Sequence, residues 1–412
     1  MKILILNTSE MVGGAAIAAN RLMKALNKNG VNTKMLVRDK LSTDENVYTV
    51  NSSWIKRKLN FMRFLWERLI LFLLTGFDRK NLFRASIANT GIDISKYLLV
   101  YEADIIHLHW INHGFLSLKD ISKLQKLNKP IVWTMHDMWP CSGIYHHVKN
   151  LPFYTDTWGK RWLTKHTSKK KKEIYKSHRI SFVCCSHWLE EEAKKSILTK
   201  SQNILCIPNP IDTTIFHQIN HSTRNEFGLP ENKILLLFGA LNVTDKQKGI
   251  NYLINSLFFL EKEFPHLHKN IELVVFGQVK SDIHSLFNVP IHPIGYLRDP
   301  KQIVRLYNAV NLFVTSSLEE NLPNTIMESM ACGIPCVGFR IGGIPEMIDH
   351  KKNGYVSEYK NAEDLANGIK WIIEHPNPKK LSEACINKVK SHYSEDIVAR
   401  QYIDLYESVL KK

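Results

Sequence analysis

Short apolar runs alternate along the chain with segments whose apolar residues recur at helical spacing. That alternation predicts parallel sheets with crossover helices. In the first half the strand candidates are Lys2–Asn7, Thr33–Arg38, Asp104–His109, Pro130–Met135, Ile180–Cys185 and Asn203–Ile207. The second half repeats the scheme with Ile234–Phe238, Ile271–Phe276, Val289–Ile294, Asn311–Thr315 and Pro335–Phe339. Between the two sets lies Pro208-Asn209-Pro210-Ile211-Asp212, whose prolines cannot continue a helix. Two doubly wound α/β domains are therefore expected to meet near residue 210. Their ligands should bind beyond the carboxyl ends of the strands.

One segment interrupts the pattern. Residues 54–68 mix Trp54, Phe61, Phe64, Leu65 and Trp66 with Lys56, Arg57, Lys58, Arg63 and Arg68, and Leu69–Leu74 follows as an uncharged run. That run is about half the ~20 residues a spanning helix needs. The stretch fits an amphipathic helix lying in the plane of a membrane surface, and equally a buried crossover helix with a basic outer face. A second basic cluster holds Lys160, Arg161, Lys165 and the run Lys169–Lys172, which reads either as a solvated helix face or as part of the same docking surface.

Length and composition narrow the class. At 412 residues the chain exceeds the ~250 at which a single core stops growing, so each half can hold a core of its own. With 44% hydrophobic and 23% charged residues it is neither disordered nor fibrous. Its net charge of +16 favours anionic partners: phosphorylated ligands, acidic lipid headgroups or nucleic acid. No nucleic-acid-binding motif accompanies the charge, so nucleic acid is not expected as a partner. The apolar stretch after Met1 is too short for a signal peptide and reads as a first strand. Seven cysteines, an odd number without CxxC spacing, suit free thiols in a reducing compartment. The expected location is cytoplasmic, peripheral on the inner face of the cell membrane.

Chemistry concentrates around Ser316–Pro335. A strand should end near Thr315 and a helix begin at Pro323 or Asn324, with Gly333 and Pro335 as the stop. Glu320 then sits on the strand-to-helix loop and Glu328 about one turn into the helix. A helix N-terminus suits phosphate, and two carboxylates beside it can accept hydrogen bonds from sugar or ribose hydroxyls. Two glutamates could also simply complement the helix dipole. Glu320 and Glu328, with seven residues between them, the run Met330-Ala331-Cys332-Gly333-Ile334-Pro335, the segment Gly342-Gly343-Ile344-Pro345-Glu346 and the pair Asn353-Gly354 together resemble glycosyltransferase family 4. The likeness extends over nearly the whole chain and is clearest in the second half.

The resemblance implies the GT-B fold, two Rossmann-like domains facing an interdomain cleft. Residues 1–208 would form the acceptor-side domain and 209–390 the donor domain, with 391–412 a helix packing back toward the first. It implies a retaining, metal-independent transferase that moves a sugar from a nucleotide-sugar donor to a saccharide or lipid-linked acceptor in bacterial surface polysaccharide synthesis. Glu320 would bind the donor sugar and Glu328 the ribose, with Asn321 and Leu322 beside them. Lys248, in Lys246-Gln247-Lys248-Gly249 after Phe238-Gly239-Ala240-Leu241, matches the family's diphosphate lysine, and would otherwise be a solvated loop residue. Gly13 and Gly14 would form a donor-diphosphate or acceptor loop, or merely a tight turn. His136, in Met135-His136-Asp137, would lie beside the donor sugar, or else be a satisfied core histidine. Two positions depart from the pattern: Ala240 stands where an arginine is frequent, and Asn321-Leu322-Pro323-Asn324 replaces a glycine-rich turn.

No Ser/His/Asp set or activated cysteine is evident, and front-face transfer needs none. His107, His109 and His113 could be read as metal ligands, yet the period-two spacing of the first two describes a strand, and no metal or cofactor is expected. A catalytically silent partner subunit and a nucleotide-sugar epimerase of the same architecture are the rival readings.

Overall fold

Continuous apolar runs become strands buried on both faces. The computed structural model describes residues 1–79, 82–147, 157–176, 180–278 and 283–411. The chain divides into one unit made of Met1–Pro210 with Val398–Lys412, and another made of Ile211–Ile397. The first holds β1 (Lys2–Ser9), β2 (Asn32–Asp39), β3 (Val47–Thr49), β4 (Ile105–Leu108), β5 (Ile131–Met135), β6 (Ile180–Cys184) and β7 (Asn203–Cys206), ordered β3-β2-β1-β4-β5-β6-β7 and parallel throughout. The second holds β8 (Ile234–Asn242), β9 (Ile271–Gln278), β10 (Ile291–Gly295), β11 (Leu312–Thr315), β12 (Cys336–Phe339) and β13 (Gly354–Ser357), ordered β10-β9-β8-β11-β12-β13 and again parallel. Every strand expected from the apolar runs is present. The edge strands β3 and β13 are additional, and β8 runs four residues past Phe238.

Alternation within the first sheet splits its core in two. Leu4, Leu6, Ile106, Leu108 and Trp133 face one layer, while Ile3, Ile5, Ile105 and Val132 face the other. The second layer is completed by Tyr402, Leu405 and Tyr406 of the C-terminal helix Glu395–Leu410. There Tyr406 and Thr134 bracket His107: the tyrosine hydroxyl lies 2.7 Å from Nδ1 and the threonine hydroxyl 2.8 Å from Nε2, and Tyr402 reaches Thr134 at 2.8 Å. A buried polar group costs little when each of its atoms has a partner, which this chain of four side chains supplies.

Two basic segments fold differently from the simplest reading of their charge. In the helix Trp158–Tyr175, Lys171 is fully buried while Lys169, Lys170 and Lys172 are exposed. The Lys169–Lys172 run is thus not one solvated face, because a helix turns the third of four consecutive residues away from the rest. The Lys171 ammonium donates to the carbonyls of Trp139, Ser142 and Gly143 and lies 3.5 Å from the centre of the Trp139 ring. Burial drives its pKa well below that of an ordinary lysine.

The helix Trp54–Leu74 turns a polar stripe inward. Glu67 is fully buried, its Oε1 accepting the backbone N–H groups of Ile87 (2.9 Å) and Ala88 (2.8 Å). Arg68 pairs with Glu67 at 3.0 Å and donates to the carbonyls of Leu82 and Ala85. A buried crossover helix with a basic outer face is therefore not what forms. Removing one member of such a pair strands the other charge. Arg68→Ala should lower the stability of the first unit by ~3–5 kcal/mol in chemical denaturation, and the paired replacement Glu67→Gln with Arg68→Met should cost less.

Candidate active site

In each sheet the strand order reverses beside its first strand, between β1 and β4 and between β8 and β11. Crossovers leave to opposite faces at such a point, opening a crevice at the carboxyl ends of the two strands. In the second unit, Lys248 follows β8 and Glu320 follows β11, so the two residues approach the crevice from its two sides. They meet: Lys248 Nζ donates to Glu320 Oε1 at 2.5 Å. The lysine side chain keeps 31% of its exposure and the glutamate 15%. Burial works against the ammonium, but the charge and hydrogen bond of Glu320 outweigh it and raise its pKa above the ordinary lysine value.

Local sequence explains why Lys248 stands there. Asp245 caps a short 3-10 turn, Lys246–Lys248, by accepting from Gln247 N–H. Gly249 ends the turn at φ 63, and a Cβ there would lie 2.0 Å from the Ser316 carbonyl oxygen, so only glycine permits this approach to the loop after β11. Two further bonds latch the loops together: Ser316 Oγ donates to the Lys248 carbonyl at 3.0 Å, and Leu318 N–H donates to the Gln247 carbonyl at 2.7 Å. Lys246 lies on the same turn. Ala240 is buried on β8, with its carbonyl against Gly277.

The helix that follows Glu320 runs Asn324–Ala331, with Pro323 as its N-cap. Pro323 occupies the cap in an extended conformation (φ −68, ψ 118), so the N–H it lacks is that of the cap itself. Glu328 is buried on this helix, and Tyr307 Oη donates to its Oε2 at 3.1 Å. Asn321 and Leu322 are buried on the intervening loop, where Gly343 N–H donates to the Asn321 carbonyl at 2.7 Å. Tyr307, on the helix Pro300–Asn308, escapes sequence reading. An aromatic on an apolar helix face looks like ordinary core, and no motif marks it.

In the first unit, Gly13 (φ 91) is the N-cap of the helix Gly14–Lys28, just beyond β1. His109 and His136, beyond β4 and β5, stack with Nδ1 of the first 2.9 Å from Nε2 of the second. Burial lowers the pKa of His136 to about 4, against a smaller opposing effect of Asp137. Burial likewise lowers His107 and His113 to about 3 and His109 well below its ordinary value. Asp137 is itself fixed by Trp110 Nε1 at 2.9 Å, His146 Nδ1 at 2.7 Å and Trp139 N–H at 2.9 Å. A separate cavity of ≈ 720 Å³ opens beyond β2 and β3, walled by Arg38, Lys40, Asn51, Arg57, Phe61 and Phe64 among others. Its walls come almost wholly from residues 38–64, with His113 as the one distant contributor, and no motif marks them as a pocket.

Among the described residues, His187, Glu190 and Cys206 bring three metal-capable atoms within 4.8 Å of one another. His187 and Glu190 already bond each other at 3.0 Å, and Glu190 also accepts from Lys194 at 2.7 Å, which is an ordinary exposed helix-start ion pair.

Sequence comparison matches both units. The family described as Glycosyl transferases group 1 aligns with residues 220–392, and Glycosyltransferase Family 4 with residues 12–215. The chain belongs to the group 1 glycosyltransferases of family 4 and has the GT-B fold. An uncharacterised glycosyltransferase of Methanocaldococcus jannaschii is 25% identical over 97% of this chain and 96% of its own. One of Haemophilus influenzae is 27% identical over 45% of this chain, which spans half of that relative's length. The Anabaena protein HepE, solved in complex with UDP and glucose, superposes with a TM-score of 0.66 at 15% identity, covering 99% of this chain and 100% of its own.

The histidine cluster carries a pH signature. His107 and His136 are neutral when folded, down to about pH 3 and pH 4, but titrate near 6.5 when unfolded. Between those values the unfolded chain binds more protons, so stability falls on acidification. The thermal midpoint should drop steadily from pH 6.5 toward pH 4, and less steeply in His136→Asn.

Proposed function

We propose that the protein is a retaining glycosyltransferase that moves a sugar from a nucleotide-sugar donor to a saccharide or lipid-linked saccharide, in the synthesis of a bacterial surface polysaccharide. The meeting of Lys248 and Glu320 at the switch point of the second sheet carries this reading. An ammonium has three donors, and Glu320 takes one, leaving the others for a diphosphate. Glu320 retains Oε2 for a hydroxyl of the donor sugar. Glu328, oriented by Tyr307, serves the ribose, with Asn321 and Leu322 shaping the loop between them. That HepE was solved with UDP supports a nucleotide diphosphate as the leaving group.

In the first unit, His136 offers a neutral ring to a sugar hydroxyl, and Gly13 and Gly14 bring backbone close to the donor diphosphate or the acceptor. The cavity beyond β2 and β3 suits a saccharide acceptor, since amide and cationic groups stand there beside two aromatic rings. In the transfer step the acceptor oxygen bonds to the anomeric carbon as the bond to phosphate breaks, on the same face. The acceptor proton passes to the departing phosphate oxygen. Lys248 stabilises the charge that develops on the diphosphate, and the side chains around it hold the two reactants in register.

Glu320→Gln, Glu328→Gln and Lys248→Ala should each reduce kcat/KM about ten- to a hundredfold, the worth of a charge-assisted hydrogen bond. Full turnover in all three, with an identified donor, would place the donor elsewhere. The lysine also makes a divalent cation unnecessary, so EDTA should leave the rate unchanged; loss of activity restored by magnesium would refute that. A second reading, a silent partner subunit, draws on Ala240, which puts no cation beside the diphosphate. Donor hydrolysis by the purified chain separates the two.

A further inference from the structure

Hydrophobic side chains on a surface helix ordinarily face the core. Those of Trp54–Leu74 do so only in part: Leu71, with Ile70 and Leu74, packs against Ala85, Ile87 and Leu163, while much of the helix's apolar surface faces out. The inward stripe includes Asn60, Glu67, Arg68 and Leu71, all buried. Ile55, Leu59, Met62, Trp66, Leu69 and Leu73, alternately four and three residues apart, form one outward stripe, and each is between 45% and 61% exposed. The ion pair of Glu67 and Arg68 fixes this orientation, so the outward stripe is not an accident of a loosely held helix. At its far end the stripe continues onto the neighbouring helix. Gly159 there lies so near the Leu74 carbonyl that a Cβ would come within 1.7 Å, and the adjoining Trp158 and Trp162 are 70% and 45% exposed.

Charge identifies what covers this surface. Lys56, Arg57 and Lys58 are exposed at one end, and Arg161, Lys165, Lys169, Lys170 and Lys172 on the neighbouring helix. Glu67 is the one acidic residue of the first helix and is fully buried. A second copy packed on the stripe would set like charges against each other with no exposed carboxylate on that helix to pair them. An anionic lipid surface supplies the missing countercharge, an apolar layer for the stripe and an interfacial zone where tryptophan is favoured. No described helix is long and apolar enough to cross a membrane, which leaves the in-plane pose.

We propose that the outward face of Trp54–Leu74, with Trp158 and Trp162, inserts into the headgroup layer of an anionic bilayer. The surface lies wholly in the first unit and does not depend on the donor reading. Its test uses no sugar at all, so the failure of either leaves the other standing.

The full chain is floated with vesicles of phosphatidylglycerol and phosphatidylcholine in equal parts, and with phosphatidylcholine alone, at low and high salt. Wild type should float with the anionic vesicles and weaken as salt rises. Lys56→Gln, Lys58→Gln, Lys165→Gln and Lys169→Gln should each lower partitioning about fivefold. Serine at Ile55, Leu59, Met62 and Trp66 together should lower it by more than about a hundredfold with an unchanged circular dichroism spectrum. If that variant fails to fold, the lysine series and the salt response still decide. Absence of wild-type flotation at low salt would overturn the proposal. So would flotation that ignores the serine changes, or a stable dimer that the serine changes dissolve.

Discussion

Parallel strands can be joined only by crossovers, and a right-handed crossover must pass over one face of the sheet. Where the chain begins a sheet in its middle and builds outward in both directions, the first strand and its later neighbour send their crossovers to opposite faces. Both sheets here are built that way, around β1 and around β8. The resulting gap at the strand ends admits side chains from two segments remote in sequence. Lys248 and Glu320 are 72 residues apart and meet there. The latch of Gly249 against Ser316 belongs to the same constraint: the topology brings the loops after β8 and β11 side by side, and the glycine lets them close to contact.

Interior strands were legible because burial on both faces writes an unbroken apolar run. Of the four edge strands, β7 and β10 were legible but β3 and β13 were not: β3 spans three residues and β13 starts on a glycine, and each pairs on one side only, so neither has to be uniformly apolar. The glutamate pair was legible through its spacing across a strand-to-helix junction. Tyr307 was not, since its hydroxyl rather than its ring distinguishes it, and a sequence does not show what a hydroxyl faces. Lys171 hid within a run of four lysines for the same reason. Its neighbours are solvated, and only the turn of the helix decides which of the four meets the carbonyls beyond Trp139.

Residues 54–74 show the opposite difficulty. Their composition admitted two readings that differ in which face points inward, and no periodicity can tell inside from outside by itself. Glu67 decides, because a buried carboxylate needs donors and a countercharge, and finds the first in two backbone N–H groups and the second in Arg68. With the charged pair turned in, the apolar stripe has nowhere to go but out. The buried ion pair and the small apolar cluster around Leu71 together set the orientation of this helix.

The Lys248–Glu320 pair has a consequence for what the crevice can accept. Opposite charges in contact cancel at a distance, so the pair by itself presents no strong field to stray anions. A bare phosphate reaching Lys248 must compete with a carboxylate already bonded to it, and drawing the lysine away leaves Glu320 short of a partner. A molecule that carries negative charge and hydroxyl donors at the right separation satisfies both residues at once. On the proposed donor reading, the pair would work as a coincidence detector, admitting a ligand by two features together where either alone gains little.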